Sequence, residues 1–244
     1  MKIWAIADLH LCFGTPEKNM AHFGGKWVGY AEKINANWRR KIGPEDLVLI
    51  PGDISWALKL DQALIDLKWL HNLPGIKVII KGNHDYWWPT YSKLQAALPS
   101  SIIALRNNSF TYKDISIAGG RLWDTSEYNF SKYIEYIENK RANPKEKRCD
   151  PWIFPREIER LKLSLQKLDQ NAGTKICLTH YPPIGADLQT STASRLMEEY
   201  KINFALFGHL HNIKDGALPF GSKNGVRYIC CSADYINFEP VSIG

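Results

Sequence analysis

Cysteine is scarce in this 244-residue chain and poorly placed for cross-linking. The five residues (Cys12, Cys149, Cys177, Cys230, Cys231) are odd in number and contain no C-x-x-C pair. Cys230 and Cys231 are adjacent, a spacing that suits neither an ordinary disulfide nor a zinc knuckle. A disulfide-built secreted fold is thereby excluded. Cys177 and Cys230, inside apolar runs, are expected to be small core residues in a reducing compartment. Long apolar runs are missing as well: none approaches the ~18–20 residues that span a bilayer. The opening segment 1–7 is too short for a signal sequence and runs straight into Asp8. Low-complexity tracts, internal repeats and linkers are not found either. The expectation is one domain over 1–244, cytoplasmic, with no membrane partner.

What is present is an ordinary globular composition, 45% hydrophobic and 23% charged, with a formal charge of +6. Much of the excess lies in a basic, aromatic segment around 126–160, including Lys132, Lys140, Arg141, Lys145, Lys147, Arg148 and Arg160. Two readings stay open for it, a solvated insertion or a patch that tracks phosphates.

Apolar periodicity alternates between the strand and helix types. Runs at 3–7, 47–50 and 76–80 read as buried strands. Between them, Trp27, Tyr30, Ala31, Ile34, Trp38 and Ile42, then Leu58, Leu64, Leu67 and Leu70, recur at helical spacing. Gly43-Pro44 and Pro74-Gly75 stop the two helices. This is the pattern of a βαβαβ unit with a mostly parallel core. Further strands are expected at 102–105, 110–112, 115–118, 175–179, 204–207 and 226–231, with one more near the C-terminus. A helix should begin near Pro155 and carry Ile158, Leu161, Leu165 and Leu168. Phe130, Tyr133, Ile134 and Ile137 hint at another. The stretch 185–194, small and polar, reads as a surface loop or a mobile lid.

Five short segments place metal-ligand side chains just after apolar runs: Asp8-Leu9-His10, Gly52-Asp53, Gly82-Asn83-His84-Asp85, Thr179-His180 and Gly208-His209-Leu210-His211. A lone histidine is usually a surface or hydrogen-bonded core residue. Here five of seven fall inside these segments, and only His22 and His71 lack such a context. Ligand sites of α/β sheets gather where strand C-terminal ends converge. The ligand set is oxygen and imidazole without thiolate, which points to a catalytic site with open positions rather than structural zinc.

In this order the segments resemble the calcineurin-like metallophosphoesterase family, whose signature is D-x-H, G-D, G-N-H-D/E, H and G-H-x-H. The resemblance runs from residue 8 to residue 211. It implies an α/β sandwich of two mixed β-sheets flanked by helices, with a dinuclear metal site at the strand C-terminal ends. It further implies two divalent ions (manganese, iron, zinc or cobalt) and hydrolysis of a phosphomonoester or phosphodiester by a metal-bridging hydroxide. Asp8, His10 and His211 would hold one ion; Asn83, His180 and His209 would hold the other; Asp53 would bridge. His84 would protonate the leaving group, oriented by Asp85.

One departure stands out. Many phosphatases of this superfamily follow the bridging aspartate with an acidic-arginine pair, and this chain has Ile54, Ser55, Trp56 and Ala57 instead. That weakens a protein-phosphatase assignment. A nuclease or nucleotide phosphodiesterase is a rival within the class. A non-catalytic interaction scaffold is a rival outside it. Trp56, Tyr86, Trp87, Trp88, Arg121, Trp123 and Arg195 lie near the motif loops, either as substrate contacts or as packing residues.

Overall fold

Apolar strands with both faces buried need cover on both sides, and the chain supplies it in four layers. A computed structural model of the protein describes residues 1–135 and 152–244. In chain order the elements are β1 (Ile3–Ala5), α1 (Tyr30–Lys41), β2 (Leu47–Ile50), α2 (Leu60–His71), β3 (Ile76–Ile79), α3 (Tyr91–Ala97), β4 (Ile102–Ala104), β5 (Ser109–Tyr112) and β6 (Ile115–Gly120). Then follow α4 (Ile153–Leu165), β7 (Thr174–Thr179), α5 (Thr192–Glu199), β8 (Phe204–Phe207), β9 (Ser222–Lys223), β10 (Val226–Cys230) and β11 (Val241–Ile243).

Two mixed sheets result. The first runs β11-β1-β2-β3-β4, and the second β5-β6-β7-β8-β10-β9. Among the named strands, β11, β5 and β9, all at sheet edges, pair antiparallel, and the other pairings are parallel. The alternation along each strand divides its side chains between two cores. In β2, Leu47 and Leu49 meet Ile176, Leu178 and Leu206 of the second sheet. Val48 and Ile50 turn the other way, onto Ile34 and Trp38 of α1 and Leu67 and Leu70 of α2. The second sheet repeats the device: Cys177, Ala205 and Phe207 pack on Leu161 and Leu165 of α4 and Met197 of α5. Strands buried on both faces read as unbroken apolar runs, which is why they are visible in the sequence. Lys77 is an exception in β3. Its fully buried ammonium donates to the carbonyls of Leu73 and His71 where α2 ends, satisfying acceptors that the helix leaves open.

Several expectations need correction. α1 starts at Tyr30, because Gly29 takes a left-handed φ of 63° and Trp27 belongs to a short 3-10 turn. α4 does begin near Pro155, at Ile153, but ends at Leu165, so Leu168 lies beyond it. The stretch 185–194 is neither a lid nor a plain loop: Ser191 caps α5 through the Ser194 N–H, and Ser191, Ala193 and Ser194 are buried. The helical hint at 130–137 fails in its described part, where Ile134 bridges Ile213 in a turn. Ile137, Lys140, Arg141, Lys145, Lys147, Arg148 and Cys149 lie outside the described residues. Among the described residues, Cys12, Cys177, Cys230 and Cys231 are free thiols, and no helix is long and apolar enough to cross a membrane.

Candidate metal centre

The strands deliver their chemistry at one edge. Asp8 and His10 leave β1, Asp53 leaves β2, Asn83 leaves β3, His180 leaves β7, and His209 and His211 leave β8. The parallel ladders point all these ends the same way, so the loops of both sheets meet over the seam between them.

Two groups of donors form there, Asp8 with His10 and His211, and Asp8 with Asp53 and His180. The His10 and His211 Nε2 atoms are 3.3 Å apart. Asp8 is common to both groups, and Asp53 Oδ2 of the second lies 3.8 Å from His10 Nε2 and 3.4 Å from His180 Nε2. Asn83 Oδ1 sits 2.6 Å from His180 Nε2 and 3.1 Å from His209 Nδ1. Two ligand atoms each about 2.0–2.1 Å from one ion stand roughly 3.0–3.4 Å apart at ordinary coordination angles. The His10–His211, Asp53–His180 and Asn83–His209 spacings match that range. The donor groups are therefore suited to divalent-cation binding.

Backbone contacts fix the donors. Asp8 accepts the His209 N–H at 2.9 Å, tying β1 to β8 across the seam. Asp53 Oδ1 accepts the His84 N–H at 2.8 Å, leaving Oδ2 for the cluster. The His180 Nδ1–H donates to the Pro51 carbonyl at 3.0 Å, which turns Nε2 inward. A Cβ on Gly82 would lie 2.0 Å from Asp53 Oδ1, and one on Gly208 2.5 Å from Asp8 Oδ2. No other residue type fits either place.

Asp234, in the loop after β10, was not singled out in the sequence. It accepts from His211 Nδ1 at 2.8 Å and from the Asn212 N–H at 3.0 Å. Carboxylates in this relation fix the tautomer and aim of a ligand imidazole. A signal did exist, since Asp234 follows a strand as the other donors do. Desolvation opposes a charge on His211, but the bond to Asp234 and the charges of Asp234, Asp8 and Asp53 outweigh it, raising its pKa to about 9. In His180 the same desolvation is outweighed by Asp53 and Asp8, again to about 9. Burial holds His10 well below the ordinary range.

His84 is partly buried beside the cluster, its ring 5.7 Å from that of His10. Asp85 is fully buried. Its oxygens accept from the N–H groups of Gly82, Ile54 and Ser55 and the Trp87 indole at 2.8–3.2 Å. It thus clamps the β2 and β3 loops together. Trp56 stacks on His10 at 4.8 Å and touches His84 at 4.5 Å between centroids. Trp87 and Trp88 are buried, Tyr86 is exposed, and Arg195 lies on the exposed face of α5. His71, outside every motif, bonds Ser101 at the end of α2.

A cavity of about 460 Å³ opens next to His209, walled by Trp123, Tyr128, Phe130, Tyr181 and Pro182, with Asp124 at its edge. Tyr181 packs on His209 at 3.9 Å and on Trp123 at 5.1 Å, so the aromatic wall is continuous with the donor cluster.

Comparison with known proteins agrees with this geometry. A family profile described as calcineurin-like phosphoesterase matches residues 1–212. The Gene 66 protein of Mycobacterium phage D29 is 35% identical over 91 residues, 36% of this chain and 43% of that protein, so the match spans less than half the relative's length. Among solved structures, a phosphopantetheinyl hydrolase from Mycobacterium tuberculosis superposes with a TM-score of 0.56 at 15% identity, over 99% of this chain and 95% of that one. A protein of unknown function from Aquifex aeolicus gives a TM-score of 0.51 at the same identity and coverage. At this identity the two structures speak to the fold alone.

Proposed function

We propose that this chain, which belongs to the calcineurin-like phosphoesterase family, hydrolyses a phosphoric monoester or diester whose organic part is flat or apolar. Membership makes it a metal-dependent phosphoesterase in the general sense. In the finer reading, Asp8, His10 and His211 would hold one divalent ion, Asn83, His180 and His209 would hold the other, and Asp53 would serve both. Oxygen and imidazole donors suit manganese, iron, zinc or cobalt. When bound, such ions supply Lewis acidity at phosphoryl oxygens and lower the pKa of a water towards neutrality.

The protein's own groups do the rest. His84 stands beside the cluster with its backbone held on Asp53. In this reading it donates a proton to the departing ester oxygen as the phosphorus–oxygen bond breaks. Asp85 supports that position indirectly, by fixing the loop on which His84 sits. Trp56 limits the swing of both His10 and His84 by packing on them. The organic part of the ester occupies the aromatic cavity beside His209. Its walls also favour a nucleotide as the ester, because aromatic rings stack bases without regard to sequence.

The observation that carries the proposal is the position of Asp53 Oδ2, within 3.4–3.8 Å of imidazoles contributed by both sheets. The test compares wild type with His84→Ala after identical manganese loading and a check of metal content. Substrates are an aryl phosphomonoester and an aryl phosphodiester. Turnover of either ester by wild type, falling ~10²-fold or more in the variant at equal metal content, is the expected result. Equal rates in the two proteins would remove His84 from the chemistry. Absence of turnover on both esters with metal bound would favour an interaction scaffold.

A further inference from the structure

A second cavity, of about 320 Å³, lies on the same edge of the sandwich and has the opposite character. It is lined by residues following β3 (Ile80, Lys81) and β4 (Leu105, Arg106, Asn107), by the end of β6 and Arg121, and by Glu157 and Arg160 of α4. In the strand orders, β4 adjoins β3 and β6 adjoins β7. The metal centre takes Asn83 and His180 from the loops after β3 and β7, so the cavity sits one strand further along the same seam. Arg121 joins the two places: its carbonyl accepts the N–H groups of His180 (3.2 Å) and Tyr181 (3.0 Å), while its side chain lines the cavity.

The charges around this cavity are unbalanced. Lys81, Arg106, Arg121 and Arg160 face a single carboxylate, that of Glu157. Glu157 is 3% exposed, and its Oε1 accepts from Arg160 at 2.6 Å and Arg121 at 3.2 Å. The same oxygen also meets Arg156 at 3.4 Å, so one carboxylate oxygen positions three guanidinium groups, two of which line the cavity, each carrying five N–H donors. Arg121 is also held from behind, its guanidinium 4.4 Å from the centre of the Trp123 ring. Arg106 is braced on the Pro89 carbonyl at 3.1 Å. Trp88 lines the cavity at 8% exposure, and its buried indole N–H has no hydrogen-bond partner among the described residues. A cavity assembled only for packing would be apolar or balanced, since concentrated like charges and unpaired buried donors both cost free energy. Fixed guanidinium groups with spare donors are the usual receptors for phosphate oxygens.

We propose that this basic cavity is an oxyanion-binding site that takes a phosphate group separate from the one hydrolysed at the metal centre. The phosphate belongs either to a doubly phosphorylated substrate or to a free phosphate ion. The site stands apart from the catalytic reading, because binding here requires no turnover.

The test uses full-length, zinc-loaded protein, diamagnetic and so suited to NMR, titrated with inorganic phosphate and observed at the indole N–H of Trp88, identified as the resonance missing in Trp88→Phe. A saturable shift is expected. It should weaken about tenfold or more in Arg106→Gln/Arg160→Gln at unchanged metal content, as loss of charged hydrogen bonds predicts. Lys81→Met is a second variant should the double change disturb folding. No saturable shift, or an unchanged affinity in both variants, would overturn the proposal. Kinetics separate the sources. If kcat/KM falls tenfold on a bisphosphorylated ester and under twofold on an aryl monophosphate, the anion belongs to the substrate. If phosphate binds but the two esters respond alike, it is a free ion.

Discussion

The strands and the loops that leave their C-terminal ends follow opposite rules. Within the sheets the side chains are apolar and buried, and each strand serves two cores. A few residues later the chain buries Asp8, His10, Asp53 and His180 among one another. The backbone changes too. Asp8, His10, Asp53 and His209 have φ of 58°, 44°, 52° and 71°, a region non-glycine residues seldom adopt. Each such residue costs on the order of 1–3 kcal/mol and persists only where its surroundings over-determine it. The sheets supply stability, and the loops consume some of it to converge donors that repel or desolvate one another.

That contrast can be broken from either side. The largest effect is expected from Asp53→Ala, which removes the carboxylate that reaches both His10 and His180. Activity should fall at least ~10³-fold, beyond the 10–100-fold typical of changes outside the ligand set. Metal analysis of the purified variant should show the loss directly. From the other side, Leu206→Ala in β8 should lower stability by about 2–5 kcal/mol in chemical unfolding. Metal stoichiometry of its folded fraction should stay the same. A drop in stoichiometry there would mean that the two regions are not separable.

Asp234→Asn sharpens the division. It leaves the fold's apolar layers untouched but loosens the aim of His211, so chelator competition should report a metal affinity about 10–100-fold weaker. A further effect is in pH. His180 and His211 have pKa values raised to about 9, so in protein stripped of metal they retain protons at neutrality. Metal must displace those protons, and a raised folded pKa makes binding weaker below it. Affinity should therefore rise with pH, about tenfold per unit for each proton released, and level off near pH 9. An affinity independent of pH between 7 and 9 would place the ion elsewhere.

How much of this was legible in the sequence follows from the same division. β2 and β8 were readable to the residue because strands buried on both faces are unbroken apolar runs. Glycine-flanked motifs marked Asp53, Asn83 and His209, since Gly82 and Gly208 are forced by contact with the carboxylates of Asp53 and Asp8. Asp234 escaped because its one signal, a place just after a strand, is shared by many residues; its meaning comes from His211, 23 positions away. α3 was hidden by its brevity and single buried residue, Leu94. α5 was hidden by small residues at its start, where Ser191 and Ser194 cap each other. At Ile134 the bridge to Ile213 overrode a helical spacing. Trp56 was visible as a departure from the superfamily pattern, but its place against His10 and His84 exists only in the tertiary structure.

The most direct measurement is the metal-to-protein ratio after equilibrium dialysis against manganese, for wild type, His10→Ala and His180→Ala. The account predicts two ions per chain in wild type and one in each variant, because His10 and His180 belong to different donor groups. Fewer than two in wild type, or two retained in either variant, would contradict it.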